Sequence, residues 1–126
     1  MAPASDPVTA SRFRVEIDGL VARDFVEVLF PEAAMTAGHQ QLTTLVLRRG
    51  ASADAELADW WKQAAAGTSA PRNLSVFVID ASGAPQIRWN FTRAEPVRYT
   101  LSGLNALEPA VLVETIELQV ESFERG

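Results

Sequence analysis

Side chains able to do chemistry are few and scattered in this sequence. His39 is the one histidine and there is no cysteine. Thiolate metal sites, cysteine nucleophiles and disulfides are therefore excluded, and His-rich metal centres and histidine-dependent triads lack their parts. Glu114, Glu117 and Glu121 could supply carboxylates for acid and base work. Such work needs two carboxylates converging in a cleft with their pKa values pushed apart. Glu117, Gln119 and Glu121 instead alternate along one stretch and read as the polar face of a strand. Arg48-Arg49-Gly50 could meet a phosphate, but no glycine-rich cradle precedes it. The plainer reading is an arginine pair that ends a strand and contacts a neighbouring acid. Trp60-Trp61 could stack on a base or a sugar, but their spacing with Leu57 and Ala64 places at least one in a core. His39 beside Gln40 and Gln41 reads as an exposed loop residue. No catalytic residue, metal ligand or cofactor-binding residue is expected, which leaves a structural or binding module.

Composition agrees with that class. The chain has 126 residues, 48% hydrophobic and 21% charged, with 16 acids against 11 bases and a net charge of −5. That length suits one domain. The acidic balance speaks against a dedicated nucleic-acid binder, which would show a basic patch. No stretch approaches the roughly 18 apolar residues of a membrane-crossing helix, so no membrane partner is expected. Met1-Ala-Pro-Ala-Ser-Asp-Pro7 has neither a basic n-region nor an apolar h-region, so no secretory signal is expected. Residues 1–10 read as a flexible arm, and residues 11–126 as a single domain.

The elements that would position these residues are mostly strands. Phe13, Val15 and Ile17 alternate with Arg12, Arg14, Glu16 and Asp18, which predicts a half-buried strand. A second strand over Asp24–Leu29 would make the opening a hairpin. Pro31 to Gln41 shows no periodicity and reads as a loop that could hold one helical turn at Glu32–Met35. Leu42–Leu47 is β-rich. A helix is expected at about Asp54–Ala66, capped by Ser52 or Asp54 and stopped by Gly67, with Leu57, Trp60, Trp61, Ala64 and Ala65 as its apolar stripe. Asn73–Ile79 and Gln86–Thr92 flank an Asp80–Gly83 turn. In the second of these strands Ile87, Trp89 and Phe91 point inward, so Trp89 should be largely buried. Pro96 should interrupt it before a short piece at Val97–Tyr99. A long strand over Ala110–Glu124, with Ile116, Leu118 and Val120 on one face, should end the chain. About seven strands and one helix that do not alternate predict a mainly β fold: a small antiparallel β-barrel, closed or nearly so, or a sandwich, with one flanking α-helix.

Several of these segments, taken in order, resemble the tail tube family of contractile-tailed phages and contractile injection systems. Phe13-Arg-Val-Glu-Ile-Asp-Gly19 followed by Phe25-Val-Glu-Val28 is similar to the family's opening hairpin. Leu45-Val-Leu-Arg-Arg-Gly50, an acidic helix start and Trp60-Trp61 resemble its central strand and helix. Arg72-Asn-Leu-Ser-Val-Phe-Val-Ile-Asp80, Gly83 and Trp89-Asn-Phe91 resemble its second hairpin. Glu95-Pro-Val-Arg-Tyr99, Gly103-Leu-Asn-Ala106, Val113-Glu-Thr-Ile-Glu-Leu118 and Glu121-Ser-Phe123 resemble its closing segment. Each motif is weak alone; the ordered set, over about residues 10–124, is more specific.

The resemblance implies a barrel shared with the Hcp proteins of type VI secretion. It also implies homo-hexameric rings, stacked into a tube inside a sheath on a baseplate, that carry a transient cargo of protein or DNA. Such a subunit would assemble in the cytoplasm as a component of a phage-tail-like particle or virion. Glu117, Gln119 and Glu121 would face the lumen, since a polar bore without basic patches would not retain a polyanion. The Ala110–Glu124 strand, longer than a monomeric barrel needs, would offer an edge to a neighbour. The chain departs from the family between Val28 and Leu42. Members usually carry a longer stretch there, with a hairpin that contributes to the tube. Leu29–Gln41, read as loop, points to a tube initiator, a terminator, a cap-proximal ring or a divergent relative. The alternative is a monomeric binding or adaptor module of the same fold, with a ligand surface near Trp60, Trp61 and His39.

Overall fold

The computed structural model describes Val8, residues 12–68 and residues 70–126. The arm expected at residues 1–10 lies outside the described residues apart from Val8. The elements run β1 (Phe13–Ile17), β2 (Phe25–Leu29), β3 (Ala33–Thr36), β4 (His39–Leu42), β5 (Leu45–Gly50), α1 (Glu56–Ala65), β6 (Arg72–Ile79), β7 (Pro85–Leu101), β8 (Val113–Gln119) and β9 (Ser122–Arg125). The main sheet has the order β1-β6-β7-β8-β5-β2, with β9 also on β7; every pairing is antiparallel. The mainly β fold with one flanking helix is as expected.

The sheet folds over on itself through β7. The first part of that strand pairs with β6 and β9, and Glu95–Leu101 pairs with β8. The change of partner falls at Arg93, whose φ is +53, and at the irregularity between Pro96 and Arg98. Pro96 thus does not interrupt the strand, as the sequence had suggested. It is buried at the bend, where a bulge tolerates a residue without an N–H. Both halves turn their apolar faces to one core: Val15, Leu74, Val76 and Phe91 from one side, and Leu45, Leu47, Ile116 and Leu118 from the other. Full burial of such a side chain contributes about 1.5–3 kcal/mol.

Four further expectations change. The opening is not a hairpin, because β1 pairs with β6 and β2 with β5, at opposite ends of the sheet order. The sheet therefore has an open seam between β1 and β2 instead of closing there. The stretch read as loop at Pro31–Gln41 is the β3–β4 hairpin. Ala37 and Gly38 both carry positive φ, +51 and +81, as a type I′ turn requires. Its residues are exposed on both faces except for half-buried Leu42, so no apolar period marks it. The long final strand is two, β8 and β9, broken at Val120–Glu121 where the chain crosses from one half of β7 to the other. Trp89 is half-buried, with Phe30 tilted against it at 4.8 Å between ring centroids; Phe91, 1% exposed, holds the deeper place.

The helix starts after Ala55 with no side-chain cap bond, so neither Ser52 nor Asp54 caps it. Its C-terminus is a Schellman motif. The Thr68 N–H donates to Gln63 O and the Gly67 N–H to Ala64 O, with Gly67 at φ +73. Leu57 and Trp60 are buried, Trp61 and Ala64 half-buried, and Ala65 exposed.

Candidate assembly surfaces

The outward side of β2, β5, β8 and the second half of β7 is a ladder of paired polar groups. Alternation along β8 buries Glu114, Ile116 and Leu118 and leaves Thr115, Glu117 and Gln119 facing out. Glu117 accepts from Thr44 Oγ1 at 3.1 Å and pairs with Arg98 Nε at 3.1 Å. Arg48 pairs with Glu27 and donates from Nε to Thr115 Oγ1 at 3.3 Å. Gln119 stands opposite Glu95 and is exposed. Glu121 lies beyond the end of β8, paired with Arg93 Nε at 2.9 Å. A polar cleft of about 210 Å³ joins Gln119 and Glu121 to Arg93, Glu95, Pro71 and Val120. Glu117 and Gln119 thus share a face, whereas Glu121 sits at its margin. The surface is not simply acidic, because Arg48, Arg93 and Arg98 interleave with the glutamates.

Glu114 does something else. Its side chain and that of Arg49 are 5% and 4% exposed, and they form a buried ion pair. Tyr99 donates its hydroxyl to the same carboxylate. Arg49 Nη2 reaches Glu56 Oε2 at 3.2 Å and Asp54 O at 3.4 Å, so the network ties the first turn of α1 to the barrel wall. Burial works to lower the Arg49 pKa, but the hydrogen bonds and charges of Glu114 and Glu56 leave it raised. The Glu56 carboxyl is lowered by its own backbone N–H at the helix start and then by Arg49. Sequence reasoning grouped Glu114 with Glu117 and Glu121 as candidate carboxylates and did not place it inside. The signal that places it inside is parity: Glu114 shares the even positions of Ile116 and Leu118, as Arg49 shares the odd positions of Leu45 and Leu47.

Burial, and then the bond to Glu114, push the Tyr99 hydroxyl up to about 12. A folded pKa above the unfolded value of about 10 contributes stability that is intact below pH ~10 and is lost as pH rises through ~12. The urea midpoint is therefore expected to fall over that window, and Tyr99→Phe is expected to flatten the fall. An equal fall in the variant would assign the loss to other groups.

In the main sheet four strand edges are unpaired among the described residues: the outer edges of β1, β2 and β9, and the side of Glu95–Leu101 in β7 that does not face β8. The β3–β4 hairpin has no further strand partner among them either. The remaining candidates separate. His39 opens β4 and is exposed, while Trp60 is 1% exposed in the core, so they make no joint ligand surface. Among the described residues no cluster of three or more His, Cys, Asp or Glu could hold a metal ion, and no helix is long and apolar enough to cross a membrane.

The family model described as T4-like virus tail tube protein gp19 matches residues 32–124. No curated protein matches the chain. Among solved structures, a chain of the anti-feeding prophage baseplate superposes with a TM-score of 0.75 at 19% identity, covering 97% of this chain and 97% of that one. A chain of the sheath-tube complex of PVC, an extracellular contractile injection system, gives 0.73 at 17% identity, covering 98% and 93%. Hcp1 from Flavobacterium johnsoniae gives 0.68 at 17% identity, covering 90% and 94%. At these identities the likeness establishes the fold.

Proposed function

Because the chain belongs to the T4-like virus tail tube protein gp19 family, we propose that it is a structural subunit of the inner tube of a phage-tail-like contractile injection system. In this reading residues 11–126 act as one tube domain. Six copies form a ring through strand edges, rings stack inside a sheath on a baseplate, and the bore passes protein or DNA. Assembly takes place in the cytoplasm. The role is structural, not catalytic.

The observation that carries the reading is the family match over residues 32–124. Two features support it. The edges of β1, β2 and β9 are unpaired, and an unpaired edge offers N–H and C=O groups to a strand of another chain. The β3–β4 hairpin lies in the stretch that had been read as loop, so the lack of a hairpin no longer argues for a specialised ring or a divergent relative. We assign the Glu117 and Gln119 face to the bore, with Glu121 at its margin. Its glutamates and arginines neutralise one another, which suits a passage that must release either sign of cargo.

Electron microscopy of the purified chain, alone at high concentration and with the neighbouring particle components, is expected to show six-fold rings. Placing Lys at Glu117, Gln119 and Glu121 should preserve the rings and make their bores retain single-stranded DNA that the parent rings release. Absence of rings under both conditions would refute the tube reading. Rings whose substituted positions can be labelled only from the outer wall would refute the bore assignment alone.

A further inference from the structure

Phe77 is buried but stands outside the core cluster. It is 6% exposed, and because Val76 beside it in β6 points into the core, its ring stands on the outward face of the β1, β6 and β7 part of the sheet. Two arginines cover it. Arg14 and Arg88 are its neighbours in one cross-strand row, on β1 and β7, with guanidinium carbons 4.8 and 5.1 Å from the ring centre. A guanidinium over an aromatic ring is attracted by the negative face of the π-system. Arg88 is held further, since its Nε donates to Asn90 Oδ1 at 2.7 Å and its Nη2 to Ser75 Oγ at 3.4 Å. The pair is therefore placed before any ligand arrives, and little side-chain freedom is left to lose on binding.

The charges around this pair differ from those on the Glu117 face. There each arginine meets an acid: Arg48 meets Glu27, Arg98 meets Glu117 and Arg93 meets Glu121. Here Arg88 donates only to neutral acceptors among the described residues, and so does Arg12, from Nη1 to Ala81 O at 3.1 Å. Arg14 shares its Nε with Glu16 at 3.3 Å, and both of those side chains are exposed. In a chain of net charge −5, a fixed pair of cations whose terminal nitrogens meet no acid among the described residues is an exception, and it points to an anionic ligand.

We propose that Arg14 and Arg88, stacked on Phe77, receive an acidic peptide segment of a partner protein, one carboxylate to each guanidinium. The two arginines stand two strand spacings apart, about 10 Å. On an extended segment, acids two residues apart lie on one side at about 7 Å, within reach of both planar forks. A peptide fits better than a nucleic acid because Glu16 and Glu124 flank the pair, Glu124 opposite Asn90 on β9. A long polyanion meets repulsion as soon as it extends past the two arginines, whereas a short acidic segment does not. The inference goes beyond the tube reading and does not need it, since peptide binding is read on the chain whatever its state of assembly.

Fluorescence anisotropy at low ionic strength with labelled hexaglutamate tests it. The parent is expected to bind hexaglutamate and not hexaglutamine. Arg14→Ala with Arg88→Ala is expected to weaken binding about tenfold, as the loss of two exposed charge pairs implies. Arg23→Ala with Lys62→Ala removes two charges at exposed positions elsewhere and should stay within about twofold of the parent. Equal losses in the two double variants would mean that net charge alone attracts the peptide, and would overturn the site. Arg14→Lys with Arg88→Lys keeps both charges and an aliphatic cover over Phe77, so it remains informative if the alanine variant does not fold. It is expected to lose about threefold, because an ammonium does not reproduce the planar fork; parental affinity in it overturns the guanidinium clamp. Glu16→Gln removes the carboxylate that competes for Arg14 and is expected to tighten binding; weaker binding also counts against the site. Tighter binding of a short oligothymidylate than of hexaglutamate would assign the patch to nucleic acid and overturn the peptide. Any of these failures leaves ring formation, and with it the tube reading, untouched.

Discussion

Glu114→Ala is expected to lower stability by about 3–5 kcal/mol, read as a lower urea midpoint with little change in slope. The loss is large because the variant strands a charge. Arg49 is 3% exposed, and its Nε donates to the Glu114 carboxylate. Without that carboxylate the guanidinium keeps Glu56 at 3.2 Å, which is too little to offset desolvation, and Tyr99 loses its acceptor. Removing both ends should cost far less: Arg49→Met with Glu114→Leu exchanges a buried ion pair for apolar packing, a change that is often neutral. The double variant is therefore expected nearer to the parent than Glu114→Ala is. If Glu114→Ala melts within about 1 kcal/mol of the parent, Arg49 has found water or Glu56 suffices, and the network is not what seats the helix.

Trp60→Ala should cost a similar amount, about 3–5 kcal/mol. Trp60 is among the largest fully buried side chains, and with Leu57 it is the buried part of α1. The Arg72 guanidinium lies over its ring at 5.8 Å, so truncation also removes a cation–π neighbour. Its indole N–H has no acceptor among the described residues. Trp60→Phe, which keeps an aromatic body and drops that unpaired donor, is accordingly expected to lose much less than Trp60→Ala. Trp61→Ala, at a half-buried position, should fall below both. Equal losses for Trp60→Ala and Trp61→Ala by chemical denaturation would show that the stripe is not oriented as described.

The sequence was informative wherever one face of an element is buried. Phe13, Val15 and Ile17 declared β1, and Leu57 and Trp60 oriented α1, because apolar period follows burial. It was silent at the β3–β4 hairpin, where both faces are exposed and the turn at Ala37-Gly38 lacks the usual Asn-Gly signature. It misjudged connections more than elements. Nothing local in Phe13–Leu29 tells β1 to seek β6 and β2 to seek β5. Pro96 read as a stop because its missing N–H is a local fact, whereas the bend that accommodates it is set by β8. On the polar face, Glu117 and Gln119 were legible as neighbours by alternation. The arginine partners of Glu117 and Glu121 were not, since Arg98 and Arg93 arrive from β7, around its bend.

The sharing of β7 between two halves of the sheet also sets the tempo of folding. Phe13 pairs with Val78 and Leu45 with Leu118, so neither edge of the barrel can close until most of the chain has been made and searched. Chains dominated by such distant pairings fold on the scale of milliseconds to seconds, slower than helical bundles of equal size. Throughout that interval β1 and β2 wait with open hydrogen-bonding rims. A nascent copy is then most able to pair wrongly with its siblings. Correct folding is consequently favoured when newly made chains stay dilute until β7 has drawn its two sets of partners together.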